Sequence, residues 1–267
     1  MSNDNIEVAP SEPLSPEPRC AHCRSLVKEN DRYCGDCGKE IIAEQKRMVN
    51  QHDDAFTILT PTLAYYGITL LLLATYKLTP VFGFGFEGML AITVIDSLIV
   101  LTFWAIYFSE LKPLFSIKRV NVKLVAVTIG GAMVASIVVS VVADLISISI
   151  SDDVFYNTYL FEDTAHPFLF AVLFIAVHPA IFEEVAFRGF MMNNLSLIAT
   201  PLNTIYITGF VFGIIHLAII SMLWLVPIGL VFAWLRWKYN TLWYGIIGHF
   251  TYNLCITIFE YNGWGLN

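Results

Sequence analysis

The sequence predicts an all-α fold, a polytopic transmembrane helix bundle of about seven to eight spans with a small four-cysteine, zinc-binding head at its N-terminus. Three observations predict it. The 267 residues are 57% hydrophobic and only 14% charged, whereas soluble domains average about 45–50% apolar and about 25% charged residues, and the mean hydropathy is +0.66. The body of the chain repeats apolar stretches close to the ~20 residues a helix needs to cross a ~30 Å hydrocarbon core. Cys20, Cys23, Cys34 and Cys37 cluster near the start. This composition excludes a disordered chain and argues against an ordinary soluble enzyme. The net charge of −7 argues against a nucleic-acid partner, which needs a basic face.

In chain order, residues 1–18 are rich in Pro, Ser and Glu and too poor in apolar groups to pack, so a disordered tail is expected. No apolar core follows Met1, so no secretory signal is expected. Residues 19–40 carry two CxxC knuckles ten residues apart. That spacing gives Zn²⁺ four thiolates in a tetrahedral set, and Gly35 and Gly38 permit tight turns around the metal. The segment is similar to short zinc ribbons found at the ends of bacterial membrane proteins. Four thiolates fill the coordination sphere, so the expectation is a structural Zn with no open catalytic position and a surface that binds a protein partner. His22 is a bystander, and Cys255 is a small buried residue. Residues 41–55 read as a helical linker, and 56–267 as the membrane domain.

The expected spans are 56–76, 86–108, 124–147, 167–187, 201–220, 222–236 and 241–259, with a short helix near 189–198 that continues or follows the fourth. Seven of the fifteen Lys and Arg fall in the first fifty residues. A cytoplasmic N-terminus with alternating spans puts these inside, together with Lys112, Lys118, Arg119, Lys123, Arg188, Arg236 and Lys238. It leaves only Lys77 outside. The positive-inside rule favours that orientation. No internal repeat suggests a two-fold transporter.

Ionisable groups inside spans are costly and ask for a function. In PAIFEEVAFRGF (179–190), Glu184 and Arg188 are four apart and share a helix face, so they can pair. Glu183 then points about 100° away among apolar neighbours, where it suits a general acid or base. FGIIH puts Phe212 and His216 on one face, and HFTYN does the same for His249 and Asn253. One glutamate, two histidines and one asparagine on three helices can activate water. Glu183 would take its proton, His216 would orient it or bind a metal, and His249 and Asn253 would donate to an oxyanion. The same donors can instead hold a catalytic metal with an open position. Spacing does not separate the two mechanisms. His178, beside Pro179, reads as a structural kink histidine. Asp96 and Asp144 are expected to bond Ser or Thr neighbours. Glu260, His166 and His52 read as solvated.

EEVAFRG, FGIIH and HFTYN resemble, in order and spacing, the EExxxR, FxxxH and HxxxN motifs of the CAAX-protease and bacteriocin-processing family. The resemblance covers about residues 167–259. It implies an intramembrane endopeptidase with a cavity open toward the cytosolic side, acting on a membrane-associated peptide or protein in the lipid bilayer. Glu183 matches the family's water-activating glutamate, His216 the histidine of the second motif, and His249 with Asn253 the oxyanion pair. Glu184, Arg188 and Phe212 match supporting positions. Direct use of a metal is left open. The four-cysteine head points to a prokaryotic cytoplasmic membrane, where a prenylated substrate is not expected. The competing reading is a non-proteolytic scaffold, immunity or regulatory protein of the same fold, whose working part would be the head. A proton-coupled transporter comes third.

Overall fold

A computed structural model describes residues 55–83, 85–150 and 156–264, together with Val27, Tyr33 and Cys34. The chain divides into two units, Met1–Asp54 and Ala55–Asn267. In the first, Val27 and Cys34 are buried and pack together. The expected tail, the linker and the other three ribbon cysteines (Cys20, Cys23 and Cys37) lie outside the described residues.

The second unit is helical throughout its described residues apart from turns and connectors. Its seven main helices are α1 (Ala55–Leu78), α2 (Phe86–Ile106), α3 (Val122–Ile150), α4 (Pro167–Ile198), α5 (Pro201–Ile215), α6 (Met222–Tyr239) and α7 (Trp243–Tyr261). Four of them, α1 to α4, are long and apolar enough to cross a membrane. The sequence led to seven spans. The helices are all present, but α5 has only 15 residues, and α6 and α7 are diluted by Arg236, Lys238, His249, Asn253 and Glu260.

On α1 and α3 the outward faces are apolar, and small or hydroxyl-bearing residues are among those that face inward. On α3 the buried residues are Ala132, Ser136 and Asp144, while Val127, Val134, Ile137 and Val138 are exposed. α1 buries Thr62, Tyr65 and Thr69 and exposes Leu63, Ile68 and Leu71. In water this would leave an apolar surface without cover. In a bilayer the large aliphatic groups meet lipid, while small and hydroxyl-bearing residues let helices pack and bond.

α4 is the axis of the bundle. Its residues Glu184 to Leu195 are buried on every side, as expected of a central helix. The expected fourth span and the short helix after it form one 32-residue run, so Glu183 sits near the middle of a helix and not at its cytoplasmic end. Asn193 and Asn194 bond inside the bundle. Asn193 accepts from Arg236 at 2.8 Å, and Asn194 donates to Thr62 at 3.1 Å. α4 winds as a π-helix over Val172–Val177 and Glu184–Met191.

The connectors fix which ends of the helices meet. The turn between α6 and α7 is tied to the connector between α2 and α3. Leu242 N and Thr241 Oγ1 both donate to Leu114 O at 3.0 Å, and Arg119 donates to Asn240 O at 2.9 Å. At the other end Lys77 of α1 donates to His216 O at the end of α5. Lys112, Lys118, Arg119, Lys123, Arg236 and Lys238 therefore cluster toward one end, with Lys77 at the other. Arg188, counted with the cytoplasmic residues from sequence, is buried in the bundle. Glu260 is also corrected. It is half-buried and accepts from Asn157 Nδ2 and Thr158 N, both at 3.3 Å, where solvation was expected.

Candidate active site

The site is built on α4, α5 and α7, and α6 closes it. Glu184 and Arg188, one helical turn apart on α4, form an ion pair of 2.8 Å with no exposure of either side chain. Arg188 also donates to Gly229 O on α6 at 3.1 Å. Its guanidinium lies 4.1 Å from the Phe212 ring centroid and 5.7 Å from that of Phe232. A buried charge needs both pairing and hydrogen bonds to be tolerated, and here aromatic faces add cation–π attraction.

α7 approaches α4 closely at Gly245. A Cβ there would collide with the Glu184 carboxylate, so glycine permits the contact. One turn on, His249 is buried and faces both glutamates. Its Nδ1 lies 3.2 Å from Glu184 Oε1, and its Nε2 lies 3.9 Å from Glu183 Oε2. A carboxylate only accepts, so Nδ1 carries the proton of the first contact. That fixes the ring and turns Nε2 toward Glu183. The 3.9 Å separation is too long for a hydrogen bond, and Glu183 Oε2 is buried with no hydrogen-bond partner among the described residues.

His216 follows the last residue of α5. Its Nδ1 donates to Phe212 O at 2.7 Å, which leaves Nε2 as the free nitrogen. The helix stops here because Leu217 takes a left-handed conformation with φ of 50°, so α5 ends five residues before the expected boundary. Phe212 joins the two histidines. The His216 ring packs on it at 5.0 Å and the His249 ring at 5.9 Å, both edge to face. Glu183, Glu184, Arg188, Phe212, His216 and His249 thus form one connected group. His216 enters it through Phe212 and not through a hydrogen bond to Glu183 or His249. Asn253 stands apart, with its Nδ2 donating to Ile175 O at 2.8 Å.

Tyr65 of α1 packs against α4 beside the site, its ring edge-on to Phe187 at 6.4 Å and to Phe190 at 5.8 Å. Asp96 was expected to bond a Ser or Thr neighbour and makes no such bond among the described residues; Ser97 beside it contacts His178 Nε2 at 2.8 Å. His178 also stacks on Phe182 at 4.4 Å, in keeping with a structural histidine. No spacing rule ties α1 to this part of α4, so only packing reveals the contact of Tyr65 with Phe187 and Phe190.

Among the described residues no group of three or more His, Cys, Asp or Glu is arranged to hold a metal. A cavity of about 440 Å³ lies elsewhere, between the ends of α3 and α7 near Asp144 and Glu260, and does not include Glu183, His216 or His249.

Residues 165–255 match the family described as type II CAAX prenyl endopeptidase Rce1-like. The match takes in all three motifs and roughly a third of the chain. α1, α2, α3 and the four-cysteine segment lie outside it. At the level of that family the similarity is to proteases, and the apolar helices make the chain an integral membrane protein. No curated protein and no solved structure matches the chain.

Proposed function

We propose that the protein is an intramembrane endopeptidase that hydrolyses a peptide bond of a membrane-associated peptide or protein. The observation that carries this reading is the unpartnered Glu183 Oε2 facing His249 Nε2 inside the bundle. Glu183 takes a proton from water, and the resulting hydroxide adds to the scissile carbonyl. His249, its Nδ1–H held by Glu184, donates from Nε2 in its protonated form to the oxyanion. The tetrahedral intermediate collapses by breaking its C–N bond, and the proton held by Glu183 goes to the departing amine. His216, fixed by the Phe212 carbonyl, orients the water. Arg188 and Glu184 hold the arrangement. The resemblance implied an oxyanion role for Asn253 as well, but its amide donates to Ile175 O, so the oxyanion donor in this reading is His249. No step here is routed through a metal.

The head at residues 19–40 is read as a structural zinc ribbon on its CxxC spacing. The test of the peptidase reading is cleavage of a membrane-peptide library by purified protein in detergent, beside Glu183→Ala and His216→Ala. Cleavage by wild type and loss in both folded variants supports it. Unchanged function in both, with loss on deleting residues 1–45, would favour a scaffold.

A further inference from the structure

A helical proline has no N–H to give the carbonyl four residues earlier. For Pro179 that carbonyl belongs to Ile175. Inside a bilayer a freed carbonyl needs another donor, because bulk water does not reach it. Asn253 of α7 supplies one, donating from Nδ2 to Ile175 O at 2.8 Å. The surrounding turn of α4, Val172–Val177, is π-wound, as helices become where the regular ladder is interrupted. α4 and α7 run antiparallel here. One turn back along α7, His249 meets Glu183 and Glu184, which lie one turn beyond Pro179 on α4.

We propose that Asn253 is a positioning residue that replaces the N–H missing at Pro179. It clamps α4 to α7 and so sets the separation between Glu183 and His249. The two residues form one unit, in which the need for Asn253 is created by Pro179. The activity readout rests on the peptidase reading, while the stability readout does not.

A double-substitution cycle on the full-length protein tests this, with thermal unfolding in detergent and peptide cleavage as readouts. Asn253→Ala is expected to lower the unfolding midpoint and to cut kcat on the order of 10- to 100-fold, as small misplacements of reacting groups do, with KM little changed. Asn253→Leu, similar in size but without a donor, should behave the same way. Pro179→Ala restores a backbone N–H to Ile175 O, so Asn253→Ala in that background should recover most of both losses. If Asn253→Ala alone fails to fold, recovery of folding in the double variant is the supporting result. Equal losses of stability in both backgrounds would overturn the clamp. Recovery of stability without recovery of kcat would overturn positioning and place the amide on the reacting atoms. A wild type that cleaves nothing would count against the peptidase reading, and the stability cycle would still decide the clamp.

Discussion

Arg188 is a formal charge held among the Phe212 and Phe232 rings, with the Glu184 carboxylate and the Gly229 carbonyl as its hydrogen-bond acceptors. Removing one partner of such a pair leaves the other buried and uncompensated, which costs about 3–5 kcal/mol. Arg188→Ala should therefore lower stability by about that amount and free Glu184 to turn from His249. Unfolding in detergent measures the first effect and cleavage the second. A fall of less than about 1 kcal/mol, the range of an exposed pair, would mean that the pair is hydrated. The Glu184–Arg188 contact was legible in the sequence, because a separation of four residues puts both on one helix face. The role of Glu184 toward His249 was not legible, because nothing in either motif says which carboxylate meets which ring nitrogen. The contact of Tyr65 with Phe187 and Phe190 was not legible either, because it is a product of how α1 packs on α4.

At the scale of elements, hydropathy located all seven helices, since runs of apolar residues broken by polar turns leave few alternatives in a membrane chain. It failed at ends and junctions. The short helix expected near 189–198 continues the fourth span as one helix to Ile198, where Asn193 and Asn194 bond to Arg236 and Thr62 inside the bundle. α5 ends at Ile215 because Leu217 turns left-handed, although Ala218, Ile219 and Ile220 extend the apolar run. With Glu183 in mid-helix and His216 capping a short α5, Glu183 faces His249, and His216 packs on the Phe212 ring that His249 also meets. The gap left by Pro179 could be read from sequence, but its partner Asn253 could not, because only the antiparallel packing of α4 and α7 brings them together.

At the scale of the whole molecule, the basic residues of the bundle gather at the end that holds the α2–α3 connector and the α6–α7 turn. Cytoplasmic anionic lipid and the positive-inside rule favour that end inside. Cysteine at position 118 should then react with a membrane-impermeant thiol reagent only in inverted vesicles, and cysteine at position 77 only in right-side-out ones. The native cysteines would be controlled by the unsubstituted protein. The reverse pattern would contradict the orientation. The four-cysteine segment belongs to a separate unit, so the proposed zinc site is testable by itself. Purified protein should carry about one zinc per chain, as a four-thiolate site holds, and Cys20→Ser with Cys23→Ser should lose it while the helical bundle stays folded. Retention of zinc in that variant would refute the ribbon.

The central claim is that Glu183, opposite His249, delivers water to a peptide bond within the bilayer. It is tested most directly by single-turnover cleavage in proteoliposomes made in ¹⁸O-labelled water, with mass spectrometry of the products. The account predicts that wild-type protein yields a new C-terminus carrying label from solvent, and that folded Glu183→Gln yields no product on the same timescale. Labelled product at the wild-type rate from Glu183→Gln would contradict it.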